Sequence, residues 1–136
     1  MATALFNKLN FKEQKEIFIL NSPAEFKEEM DAMKQHTVVK CRATEIRTIS
    51  FALIFVQSAA DVNAGIKAIS KKLLPDALLW FAYPKGSSKK YKPTINRDKG
   101  WDLLLQMDYD AVRAVAIDED WSALRFRKTE FIKRAR

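Results

Sequence analysis

Between Pro84 and Asp98 stand five cations and no acid: Lys85, Lys89, Lys90, Lys92 and Arg97. Ser87 and Ser88 add hydroxyl donors, Tyr91 adds an aromatic face, and Tyr83 closes the apolar run just before the loop. Ammonium, guanidinium and hydroxyl groups in such a set suit phosphate oxygens, which they bind without reading base sequence. Tyr83, Tyr91 and Trp101 could stack a base, although Trp101 is expected to face the core. A strand that feeds a basic loop ahead of a helix is a place to hold an anion. The competing reading is a plain solvated loop, because any such loop carries lysines.

Other chemistry finds little support. A single histidine, His36, rules out a His-rich metal cluster, and a single cysteine, Cys41, rules out a CxxC pair. No G-x-S-x-G surrounds any serine. Cys41 falls in a Val-rich run and reads as a small buried hydrophobe. His36 falls at a helix-to-strand junction and reads as a capping or exposed residue. Asp118, Glu119 and Asp120 are consecutive acids, but at a hairpin tip they are ordinary turn residues. Asp120 is expected to order that turn, and Arg125, Arg127 and Lys128 to neutralise the cluster. No catalytic residue, metal ligand or cofactor is assigned.

The elements that must position the loop follow from the apolar pattern. Leu5, Phe6, Leu9 and Phe11 suit a short packed helix or arm, and Lys15–Leu20 a first buried strand. Ser22-Pro23-Ala24-Glu25 has the spacing of a capping box, which predicts a helix to about Gln35 with Phe26, Met30 and Met33 on one face. Thr37–Cys41 is a short second strand, and Arg42–Ser50 a return loop or ragged strand. Phe51–Val56 is continuously apolar, as expected where both faces of a strand are covered. Ser58 caps a helix whose Val62, Ile66, Ile69 and Leu73 repeat at helical spacing and which ends before Pro75. Ala77–Tyr83 is the fourth strand. Asn96 is expected to cap a helix over Arg97–Met107 that buries Trp101, Leu104 and Leu105. Ala111–Ile117 and Trp121–Arg127 alternate across a three-residue connection, as an antiparallel hairpin does.

Strands alternating with helices predict an α/β fold: one Rossmann-like open sheet of about six strands, mostly parallel, with a C-terminal antiparallel hairpin and helices on both faces. That layout is similar to the S-adenosylmethionine-dependent methyltransferase fold. The analogy orders the strands second, first, third, fourth, sixth, fifth, with the sixth antiparallel. An antiparallel second strand is the alternative, since the nine residues from Arg42 to Ser50 barely return the chain. The turn after the first strand, Asn21 to Phe26, contains no glycine, so cofactor binding in that fold's usual way is not expected.

Trp80-Phe81-Ala82-Tyr83-Pro84-Lys85, Arg97-Asp98 with Gly100-Trp101, Val115-Ala116-Ile117-Asp118, and Asp120-Trp121-Ser122-Ala123-Leu124-Arg125-Phe126-Arg127 resemble a family of small bacterial proteins, a domain of unknown function. Asn21 with Pro23 resembles that family's first turn. The likeness covers about residues 15–127 and implies a methyltransferase-related sheet without the glycine-rich loop. It brings no activity, substrate or catalytic residue.

The 136 residues suit a single domain, with a core over about 15–127 and a basic tail over 128–136. Net charge is +7, of which residues 69–136 carry +6, favouring an anionic partner such as a nucleotide or nucleic acid. The longest apolar run is too short to span a membrane, and the opening residues lack a leader pattern, so a cytoplasmic location is expected. The expected function is non-catalytic binding of an anion by the loop. A protein-interaction or accessory domain, and a degenerate methyltransferase-like enzyme, are the alternatives.

Overall fold

A computed structural model describes residues 2–132. Its elements are α1 (Ala4–Lys8), β1 (Glu16–Leu20), α2 (Lys27–Met33), β2 (Val38–Lys40), β3 (Ile49–Phe55), α3 (Ala59–Ile69), β4 (Leu73–Pro84), α4 (Asp102–Gln106), β5 (Tyr109–Ala116) and β6 (Trp121–Lys128). Short 3₁₀ turns occupy Ala24–Phe26, Ala43–Glu45 and Thr129–Phe131. The six strands form one sheet in the order β2-β1-β3-β4-β6-β5. β2, β1, β3 and β4 pair in parallel, while β6 runs antiparallel to both β4 and β5. The expected α/β architecture and strand order are therefore present, and β2 is parallel. Its return to β3 runs through the 3₁₀ turn Ala43–Glu45, held where Lys72 Nζ donates to the Ala43 and Ile46 carbonyls.

β3 and most of β4 are buried on both faces, which is why they read as unbroken apolar runs. One face packs Phe81, Tyr83 and Phe126 against α3 and α4 through Val62, Ile66, Ile69, Trp101 and Leu104. The other packs Phe51, Phe55, Trp80 and Trp121 against Phe6, Leu9, Phe11, Phe26 and Met33. The indole N–H of the fully buried Trp80 donates to the Leu9 carbonyl at 2.9 Å, tying the N-terminal arm to the central strand. Ser58 caps α3 as expected, accepting from the Asp61 N–H at 3.1 Å. Gly65 lets α3 approach the sheet closely: a Cβ there would lie 3.1 Å from the Ile54 Cγ2.

Several local expectations are corrected. Leu73 belongs to β4 rather than α3, and β4 begins before Pro75, with Asp76 in the left-handed region at φ 55°. Asn96 caps no helix: its side chain accepts from the Asp98 N–H in a tight turn, and α4 begins only at Asp102. Leu105 is exposed, because that shorter helix turns Trp101 and Leu104 inward instead. Cys41 is exposed, because three-residue β2 is an edge strand that ends before it. Of the predicted tail, residues 133–136 lie outside the described residues. No helix among the described residues is long and apolar enough to cross a membrane.

Candidate functional site

Strand order reverses between β1 and β3, so the crevice at their carboxyl ends is the place where an open α/β sheet usually takes a ligand. β1 leaves its last residue into Asn21, which takes φ 59° and so makes the tight turn that glycine often supplies. Pro23 then starts the 3₁₀ turn, and its Glu25 does not complete a capping box. Ser22 instead donates its hydroxyl to Met30 Sδ at 3.7 Å. The Glu25 carboxylate turns toward the far end of the chain. Its Oε2 accepts from the Tyr91 hydroxyl at 2.5 Å and the Trp121 indole N–H at 3.1 Å, and its Oε1 accepts from Lys90 Nζ at 3.4 Å.

Those bonds fix the loop after β4. The Lys85 N–H donates to the Asp120 carbonyl at 2.7 Å, and the Ser88 hydroxyl to Asp120 Oδ1 at 2.8 Å. The Ser88 oxygen in turn accepts from the backbone N–H groups of Lys90 and Tyr91. Further on, the Thr94 N–H donates to the Gln57 carbonyl at 3.0 Å, just beyond β3. The loop thus crosses over the carboxyl end of β3 and walls one side of the crevice. Behind it the rings of Phe26, Phe55, Trp121 and Tyr91 make a continuous row, with centroids 4.9, 5.1 and 4.9 Å apart. Tilted and edge-on contacts of this kind favour a fixed arrangement.

The electrostatics follow from the same contacts. Burial alone would raise the Glu25 carboxyl, but the hydrogen bonds from Tyr91, Trp121, its own backbone and Lys90 outweigh it and bring the pKa down to about 2. Burial, and then the bond to Glu25 and its charge, push the Tyr91 phenol up to about 12. The pair is therefore a carboxylate accepting from a neutral phenol across the ordinary pH range.

The residues picked from sequence divide into three sets. Ser88, Lys90 and Tyr91 hold the loop in place. Ser87, Lys89 and Lys92 stand exposed on it, and Lys85 is partly exposed at its start. Tyr83 and Arg97 lie elsewhere. The Tyr83 ring is buried against Trp101 on the α3/α4 face, at 5.8 Å, so it cannot share a stacked base with Tyr91 on the opposite face. Arg97 lines a cavity of about 290 Å³ beside Arg113 and Val112 of β5. Trp101 faces the core, as expected.

The hairpin tip also differs from expectation. Asp118, not Asp120, orders it, with Oδ1 accepting from the N–H groups of Asp120 and Trp121 at 2.8 Å each. Arg127 is at the other end of β6, where it holds Asp76 with two hydrogen bonds of 2.7 Å. Glu25, Trp121 and Asp120 are the site residues that sequence reasoning missed. Their partners lie up to 96 residues away, and no local spacing signals them.

Glu25, Glu28, Glu29 and Asp118 line a separate cavity of about 220 Å³. Among the described residues, no three acids, histidines or cysteines are grouped to hold a metal ion.

No family model matches the chain, and no curated protein matches it. Solved structures do. The chain is similar to the fibrillarin pre-rRNA processing protein of Methanococcus jannaschii, at 13% identity and a TM-score of 0.56 over 86% of this chain and 67% of that one. It is similar to the M1A22 tRNA methyltransferase TrmK of B. subtilis, at 11% identity and 0.55 over 94% and 66%. It is also similar to an S-adenosylmethionine-dependent methyltransferase from Clostridium acetobutylicum, at 8% identity and 0.51 over 90% and 87%. The fold is methyltransferase-like. The residues after β1 do not fit that cofactor in the usual way: Ser22 and Pro23 stand where the backbone would have to approach it, and the Glu25 carboxylate is already engaged.

Proposed function

We propose that this chain is a non-catalytic binding protein on a methyltransferase-like fold, holding an anionic ligand, a nucleotide or nucleic acid, on the loop after β4. One observation carries the reading. Ser88, Lys90 and Tyr91 spend their hydrogen bonds on fixing the loop, whereas Lys85, Lys89 and Lys92 enter no ion pair among the described residues. A braced loop presents its free ammonium groups with less entropy to lose on binding. A cytoplasmic location and kinship with the small bacterial family that Trp80–Lys85 and Asp120–Arg127 resemble belong to the same proposal.

The test is fluorescence anisotropy with a labelled single-stranded oligonucleotide. Replacing Lys89→Glu and Lys92→Glu together is expected to weaken binding by about tenfold or more at low salt. Unchanged affinity would refute the reading.

A second reading, an accessory domain that binds protein, draws on β5. This edge strand exposes Ala111, Val112, Ala114 and Ala116 with its outer hydrogen-bonding groups. Capture of one defined partner, insensitive to the lysine changes, would favour it. Heat on titration with S-adenosylhomocysteine would favour a degenerate methyltransferase-like enzyme over both.

A further inference from the structure

The antiparallel hairpin carries a second basic feature, at the end of β6 away from the loop. Trp121 and Ala123 of β6 point to the face packed by α1 and α2, and strand alternation puts Arg125 and Arg127 on that same face. Arg113 of β5 is directly opposite Arg125 in register, just after a bulge at Val112. Like charges directly opposite on neighbouring strands lie about 5 Å apart at Cβ and destabilise the pair. A sheet has no need of such a pairing for its own sake.

The three arginines are differently supplied. Arg127 is fixed by its paired bonds to Asp76, and Asp110 stands opposite it in register. Arg125 is opposite the buried Trp80 on its other side, and its Nε is buried without a hydrogen-bond partner. Burial first, then the charges of Arg127 and Arg113, with Asp76 opposing, lower its pKa. A guanidinium that has lost water at one N–H and faces a second guanidinium is favoured by a further anion, because the nearby Asp76 is bonded to Arg127. Arg113 is exposed and Arg125 partly so, which leaves the pair reachable from the Arg113 side.

We propose that Arg113 and Arg125, with Arg127 held beside them by Asp76, form a phosphate-binding face on the β5–β6 hairpin that takes the phosphodiester backbone of a nucleic acid. A backbone suits this face better than one small anion does. Arg127 follows Arg125 two residues along the strand, about 7 Å, so basic residues continue along the hairpin beyond the facing pair. Guanidinium forks meet phosphate oxygens in pairs, so Arg113 and Arg125 would fix orientation as well as charge, while the fork of Arg127 stays on Asp76. The inference shares with the proposed function only the class of ligand, and it uses different residues.

The test measures anisotropy of a labelled single-stranded oligoribonucleotide across a salt series, with inorganic phosphate and anionic phospholipid vesicles as rival probes. Three proteins are compared: the unmodified chain, Arg113→Gln with Arg125→Gln, and Lys89→Glu with Lys92→Glu. The arginine variant is expected to bind about tenfold more weakly and to flatten the log–log salt slope by about 1.4, the value for two phosphate contacts on a single strand. Loss in the arginine variant alone supports this site and overturns the loop as the ligand site. Loss in the lysine variant alone does the reverse. Binding of vesicles or free phosphate without the oligonucleotide overturns the phosphodiester assignment. Thermal melting provides a second readout: relief of the facing charges should leave the arginine variant at least as stable without ligand, and the oligonucleotide should stabilise the unmodified chain and the lysine variant more than the arginine variant. A variant that melts lower without ligand contradicts the argument.

Discussion

The Tyr91 hydroxyl donates to Glu25 Oε2 at 2.5 Å, joining the turn after β1 to the loop after β4 across 66 residues of sequence. The Trp121 indole N–H shares that oxygen at 3.1 Å. One carboxylate thus fastens three segments at the carboxyl edge of the sheet. With the Glu25 side chain 24% exposed, the bonds are shielded from solvent yet still at the surface.

Glu25→Ala should release the loop. It leaves the Tyr91 hydroxyl and the Trp121 N–H without their acceptor, for a loss of about 1–2 kcal/mol after discounting for partial exposure. Denaturant unfolding should show that loss, and amide exchange at residues 85–92 should speed up. Unchanged exchange there would mean that the loop is held by Asp120 and Ser88 alone.

The pH dependence has a defined window. The Glu25 carboxyl is depressed from 4.5 to about 2, so its contribution is complete above about 4.5 and fades as pH falls toward 2. The Tyr91 phenol is raised from 10.0 to about 12, so its contribution is complete below about 10 and fades as pH rises toward 12. The stability difference between the unmodified chain and Glu25→Gln should therefore be flat from about pH 5 to 9.5 and narrow on both sides. A difference that changes between pH 6 and 8 would contradict the assignment.

Gly100 should not tolerate a side chain. Its φ is 109°, and a Cβ there would stand 2.1 Å from the Ile95 Cγ2, a buried residue of the loop's far end. Gly100→Ala should cost about 2–4 kcal/mol by thermal or denaturant melting. Gly86→Ala is the control: its Cβ meets nothing within 4 Å, and the change should be close to neutral.

Cys41 should react at once with a thiol reagent in the native protein, because its side chain is exposed just past β2. Full protection until unfolding would contradict the edge position of that strand.

These tests separate what the sequence displays from what it hides. β3 and β4 are legible because burial on both faces demands continuous apolar residues, and the hairpin because one covered face demands alternation. Ser58 is legible because its cap is three residues away. Glu25 has the same local spacing from Ser22, yet its bonding is decided by Tyr91 and Trp121, whose proximity exists only once the sheet is assembled. The exposure of Cys41 is not legible, because Val38 and Val39 suit a strand whether it is central or at an edge, and edge position belongs to topology. The basic loop was visible as composition, but the split between bracing residues and free lysines was not.

The most direct test of the account is the salt dependence of oligonucleotide binding by the unmodified chain. With Lys85, Lys89 and Lys92 each displacing a counterion, the affinity should fall with a log–log slope of about −2 for a single strand, and steeper if the arginine face also engages. A slope near zero, or no binding at low salt, would contradict it.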